Sequence, residues 1–75
     1  MSYSQSESKQ LGTFGARVRQ TRLDLGWSQE ELAFRSGLHR TYVGAVERGE
    51  RNVALLNLCK LAAALSRSAG DLLDG

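Results

Sequence analysis

At 75 residues and a formal net charge of +2, the chain has material for one small domain whose limited core leaves its stability as a monomer dependent on help from a partner. Its longest unbroken apolar run, Leu61 to Leu65, is far too short to cross a bilayer, and no basic start plus apolar core marks a secretory signal, so a cytoplasmic chain without a membrane is expected. Seven of the ten basic residues fall between residues 17 and 51, among five of the acidic ones, so a locally basic surface suits nucleic acid where the total charge alone does not argue it.

Residues 1–10 hold four serines and no apolar period, and read as a flexible N-terminal arm ahead of a folded domain at 11–75. From Gly12 to Leu25 a first helix gathers Phe14, Val18 and Leu25 on one face, with Leu11 beside them, and Gly26 closes it before Trp27. Ser28 is a good N-cap, and Glu31 three residues later can return the bond, so Gln29 to Ser36 starts as a helix with a capping box. In it Leu32 faces the core, and the small Ala33 lets another helix cross close by. Gly37 then ends the helix, because glycine accepts the left-handed backbone of a tight exit, and Leu38 plugs the corner. In the next helix Val43 and Val46 give a narrow buried stripe, which leaves Arg40, Thr41, Gly44, Ala45 and Arg48 on the opposite side. A loop at Gly49 to Asn52 leads to a long helix from about Ala54 to Leu65, and a short one from Ser68 to Leu73 has Ser68 as cap and Asp71 in its first turn. Five helices with no strands and no proline predict an all-α domain in which helices two and three form a helix-turn-helix.

The fourth helix is wider in its apolar face than one core requires. At about 100° per residue its five leucines, Cys59, Ala62 and Ala63 cover roughly 220°, leaving Asn57, Lys60 and Ala64 around the polar side. The surplus fits either a helix sandwiched inside its own domain or a patch used twice in a homodimer, with Leu55, Leu56, Cys59, Leu72 and Leu73 as the candidate interface. Cys59 is the only cysteine, so no internal disulfide forms. Together with His39 it supplies too few ligands for a zinc site, and it reads as a small buried hydrophobe. His39 stands where helix three starts, without a second histidine or a positioned carboxylate. No nucleophile elbow, phosphate-cradling glycine loop or paired acids suggest catalysis, so neither an enzyme nor a metal or cofactor is expected.

A helix fits the major groove of B-form DNA, where each base pair shows its own donors and acceptors. Arg40 can donate two hydrogen bonds to guanine, Thr41 can offer a hydroxyl or a methyl, and Ala45 can touch a thymine methyl. Gly44 allows close approach, to DNA or to a neighbouring helix, at a cost in helix stability of about 1 kcal/mol relative to alanine. The alternative for each outward side chain is a solvated surface. Arg35, Arg48, Arg51 and Asn52 are candidate phosphate partners, as are His39 and Tyr42, the last of which can also simply pack.

The "SQEELA" opening and the "RTYVGAVERGERN" that follows the glycine turn resemble the helix-turn-helix of the Cro and lambda-repressor-like (Xre) family, and most closely the controller proteins of restriction-modification systems. The likeness spans roughly Phe14 to Leu73. One departure is Ser36, where the family usually carries an apolar residue. The resemblance implies a five-helix lambda-repressor-like domain acting as a sequence-specific, double-stranded DNA-binding transcriptional regulator. It also implies that Gln29, first in helix two, bonds a phosphate, with Ser28 doing likewise. Arg22 then pairs with Glu47 and leans toward the DNA backbone. A homodimer on a pseudo-palindromic operator, with RNA polymerase met by Glu47, Arg48 or Glu50, completes this expectation. The competing expectation is an antitoxin-like protein-interaction module, which the short N-terminal segment argues against.

Overall fold

The computed structural model describes residues 2–74; Met1 and Gly75, the outer ends of the expected segments 1–10 and 11–75, lie outside the described residues. Five helices follow one another: α1 (Gln5–Asp24), α2 (Gln29–Ser36), α3 (Arg40–Glu47), α4 (Leu55–Leu65) and α5 (Ala69–Asp74).

The first helix begins earlier than its apolar pattern predicts, and the cause is local. Ser4 Oγ accepts from the Glu7 amide at 3.1 Å while Glu7 Oε1 accepts from the Ser4 amide at 2.8 Å, a complete capping box. The segment expected as a flexible arm is therefore helical from Gln5 on, although its side chains stay exposed. The hydrogen bond from the Ser4 amide, then that with its hydroxyl, lowers the Glu7 carboxyl below its ordinary value. A depressed folded-state value places this support above the ordinary carboxylate range and removes it as pH falls through the lowered value.

Farther along α1, Phe14, Val18 and Arg22 recur every four residues on the buried face. Arg22 takes the place expected of Leu25, which lies beyond the helix end and is exposed. At Gly15 the helix crosses the end of α3 so closely that a Cβ would stand 2.2 Å from the Val46 carbonyl oxygen and 2.7 Å from that of Glu47. Gly49 extends the same close approach, its missing Cβ facing Gly12 Cα.

In α2, Ser28 accepts from the Glu31 amide at 3.0 Å, but the return half of the expected capping box is missing: the Glu31 carboxylate pairs instead with Arg35 one turn on, at 2.6 Å. Gly37, at φ +74°, turns the chain out of α2, and Leu38 donates back to the Ala33 carbonyl while packing against the core. Ser36 is buried, and its hydroxyl donates to the Ala33 carbonyl at 3.3 Å, so the corner holds a polar group without leaving it unpaired.

The core joins Phe14 and Val18 of α1, Leu32 and Ala33 of α2, and Val43 and Val46 of α3 to Leu61, Ala62, Leu65 and Leu72 from the last two helices. α3 is held by α1 and α2, while α4 packs on α2 and α5 on both α1 and α4. Ser68 caps α5 through the Asp71 amide at 3.0 Å, and at the far end Arg17 donates to the Leu72 and Leu73 carbonyls, a cation at a helix C-terminus. Among the described residues no helix is long and apolar enough to cross a membrane.

Candidate nucleic-acid interface

Positioning of α3 begins from the inside. Val43 and Val46 are fully or almost fully buried, and beside them the Glu47 carboxylate is taken out of solvent with its side chain only 1% exposed. A buried carboxylate requires close donors, and it has three. Arg22 Nε donates to Oε2 at 2.7 Å, Arg22 Nη2 to Oε1 at 2.9 Å, and Gln29 Nε2 to Oε1 at 3.0 Å. The remaining guanidinium nitrogen of Arg22 donates to the Trp27 carbonyl at 2.8 Å. One acid thus ties α1, α2 and α3 together, and the hydrogen bonds to Glu47 hold the Arg22 guanidinium above its already high ordinary value despite burial. Arg22 is accordingly absent from the surface, and the expectation that it also leans on phosphate is corrected by this burial.

The opposite side of α3 faces solvent. Arg40 and Thr41 are exposed and Ala45 is half-buried, so three of the four expected base readers share an accessible side. Arg40 Nη1 lies 3.7 Å from Glu30 Oε2, but both side chains are well exposed, and so loose a pair leaves the guanidinium free to exchange partners. Gly44 is the exception: it is buried, because the Gln29 and Arg48 side chains lie across it, and it therefore presents no bare backbone to a groove.

Around this side the structure gathers some of the expected phosphate residues and separates others. His39, Tyr42 and Arg51 line a cleft of about 490 Å³ with Thr41, Ala45 and the corner residues Gly37 and Leu38. Arg51 lies over the Tyr42 ring, 5.5 Å from its centroid, while Tyr42 packs against the core, so the aromatic ring serves as a platform for the cation. His39 precedes α3 as its N-cap but makes no side-chain cap bond. Ser28 and Gln29 stand at the start of α2, at the positive end of the helix dipole, where the Glu31 amide is already taken by the Ser28 hydroxyl. Arg48 is exposed and pairs with Glu50 at 3.1 Å. Arg35 is drawn off by Glu31 and by the Trp27 ring, 4.3 Å away. Asn52 borders a different groove, between the first half of α1 and Leu73.

A further cleft residue is Asn57, on the first turn of α4. Its position on the polar side of a largely apolar helix is visible in the sequence, but only the packing of α4 on α2 brings it to the cleft that Thr41 and Ala45 also line.

The candidate association face also changes on inspection. Leu55, Leu56 and Cys59 are exposed on α4, the two leucines by 71% and 73% of their surface, and Leu73 is exposed on α5. Leu72, in contrast, is 1% exposed and belongs to the protomer's own core, so it is unavailable to a partner. Cys59 is likewise the reverse of the buried hydrophobe expected, since Leu58, Leu61, Ala62 and Leu65 take the inward positions of α4. Glu47, being buried, offers nothing to a polymerase.

Comparison with known proteins agrees with this geometry. The helix-turn-helix family model matches residues 18–72. Control protein C.BamHI of Bacillus amyloliquefaciens is 53% identical over 62 residues, 81% of this chain and 76% of its own. Among solved structures, the restriction-modification controller protein C.AhdI of Aeromonas hydrophila superposes with a TM-score of 0.81 at 56% identity, over 83% of this chain and 94% of that one. The N-terminal DNA-binding domain of SinR from Bacillus subtilis gives a TM-score of 0.81 at 34% identity, over 85% of this chain and 94% of its own. With its two central helices in this arrangement and relatives at such identities, the chain belongs to the Xre-type helix-turn-helix family of DNA-binding transcriptional regulators.

Proposed function

We propose that the protein is a cytoplasmic, homodimeric controller of a restriction-modification system that reads a pseudo-palindromic operator with α3 of each protomer. The observation that carries this reading is the division of α3 into two faces. Val43, Val46 and Glu47 are buried, whereas Arg40 and Thr41 face solvent beside the half-buried Ala45. In this reading Arg40 donates to guanine and Thr41 and Ala45 meet neighbouring bases, while Gln29, Ser28, His39, Tyr42, Arg48 and Arg51 hold the DNA backbone.

Scale argues for two protomers. The protein's longest extent is 32 Å, and α3 has only eight residues, enough for one groove and a few base pairs. Successive major grooves on one side of a duplex lie about 34 Å apart, so a twofold pair reaches two half-sites where a single copy reaches one. Leu55, Leu56 and Cys59 on α4, with Leu73 nearby in the chain, supply apolar surface for the pairing. Any contact with RNA polymerase falls to Arg48 and Glu50, which remain accessible at the end of α3. The similarity to C.BamHI and C.AhdI supports the restriction-modification setting.

Footprinting on the DNA upstream of the chain's own coding region tests the proposal. It predicts two protected half-sites about one helical turn apart. Protection no stronger than on a scrambled duplex of equal length contradicts it, and favours a protein-interaction module instead.

A further inference from the structure

α5 has six residues, of which Leu72 alone is buried. So short a helix does not stand by itself in water, because fixing a turn costs more chain entropy than its few internal bonds offset, and its ends are therefore decisive. Ser68 secures the first end, accepting from the Asp71 amide at 3.0 Å. The second is secured from another helix. The last carbonyls of a helix lack partners within it, and here Nη1 of Arg17, in the middle of α1, donates to the carbonyls of Leu72 and Leu73. Open grooves flank this link on both sides. One of about 690 Å³ runs past Phe14, Leu58 and Leu73, another of about 380 Å³ past Thr21, Arg67 and Asp71, and Arg17 is the one residue that lines both. Beyond the buried Leu72, a single guanidinium thus spans from α1 to the last turn of α5. The Leu73 carbonyl is held there while its side chain points outward, 54% exposed.

We infer that Arg17 is a positioning residue for self-association: by holding the C-terminal end of α5 to α1, it sets Leu73 where a second copy of the chain meets it. The inference rests on the proposed pairing through Leu55, Leu56, Cys59 and Leu73, and extends it to a side chain that acts through Leu73. Without the guanidinium the last turn loses both its donor and the cation that complements the helix dipole, so it frays more often. Twofold symmetry enlarges the effect. A closed pair needs the turn formed in both protomers, so the apparent dissociation constant rises as the inverse square of the fraction in which it is formed. A fall of that fraction to about one third weakens pairing by about ninefold.

The test is a double-mutant cycle of Arg17→Met, which keeps an aliphatic stem and removes the donors, with Leu73→Ala, read as the dimer dissociation constant by sedimentation equilibrium. Arg17→Met is expected to raise that constant by about tenfold, and Arg17→Lys, which restores a cationic donor, by no more than about threefold. In the Leu73→Ala background Arg17→Met changes it by less than about twofold, because the side chain it positions is no longer there. In the Leu56→Glu chain, hydrogen exchange of the α5 amides speeds up with Arg17→Met while the amides of α2 and α3 keep their rates, which separates local fraying from loss of the fold. Where Leu73→Ala weakens pairing, an Arg17→Met penalty of equal size in both backgrounds, or none in either, overturns the inference while leaving the pairing standing, and so does α5 exchange that the substitution leaves unchanged. A Leu73→Ala chain that pairs as tightly as the wild type removes Leu73 from the face and the inference with it. A wild-type chain that shows no dimer defeats the pairing itself, and the inference falls with that reading.

Discussion

The side chain on which the binding face most depends is one that meets no DNA. Glu47 is the meeting point of Arg22 and Gln29, and its burial makes the three-way bond sensitive to the loss of any member. Removing one partner of a buried pair leaves the other charge without compensation, at about 3–5 kcal/mol. A domain of this length holds only about 4–11 kcal/mol in all, at roughly 0.05–0.15 kcal/mol per residue. Glu47→Ala is therefore expected to lose a large part of the stability in urea unfolding, and the double variant Arg22→Met, Glu47→Leu to recover much of it. A Glu47→Ala loss under about 1 kcal/mol, the range of an exposed pair, contradicts the description of this bond. The pair belongs to what the family resemblance makes legible, but its burial does not, because the sequence pattern allots the inward place on α1 to Leu25. That leucine lies past the helix end, and the four-residue step from Phe14 through Val18 arrives at Arg22 instead.

Among the elements, α2, the turn and α3 are the most legible, because their signals are local. Ser28 caps through the amide three residues on, Gly37 supplies the left-handed turn, and Val43 and Val46 lie on the same side of one short helix. The start of α1 is equally local, yet its Ser4 and Glu7 signal is easily passed over in a serine-rich stretch without apolar period. The crossing of α1 over α3 is of another kind. Nothing in the neighbours of Gly15 announces that a carbonyl of α3 will lie against it, since that depends on how two distant segments meet. Two glycines of α1 separate the effects. Gly15→Ala drives a methyl group into the Val46 carbonyl and is expected to cost about 1–3 kcal/mol by overpacking. Gly12→Ala meets nothing within 4 Å and is expected to gain up to about 1 kcal/mol from helix propensity. Thermal unfolding of the two variants checks both signs, and a Gly15→Ala protein as stable as the wild type refutes the close crossing.

At the scale of the molecule, the surplus apolar width of α4 is visible in the sequence, but its division between core and surface is not. Packing decides it: Leu61, Ala62 and Leu65 turn inward with Leu72, and Leu55, Leu56 and Cys59 remain outside. The proposed pairing through this outer face predicts that Leu56→Glu stays folded, sediments as a monomer where the wild type is a dimer, and binds the operator more weakly. A wild-type chain that stays monomeric at high micromolar concentration defeats the pairing. The central claim is that α3, held from within by Val43, Val46 and Glu47, reads base edges through Arg40. Its most direct measurement is the affinity of the Arg40→Ala protein for the operator and for operators changed one base pair at a time. The loss expected on the operator is about 1–3 kcal/mol, with the preference relaxed at a single base pair in each half-site. An equal loss on operator and random DNA, with every base preference intact, would contradict it.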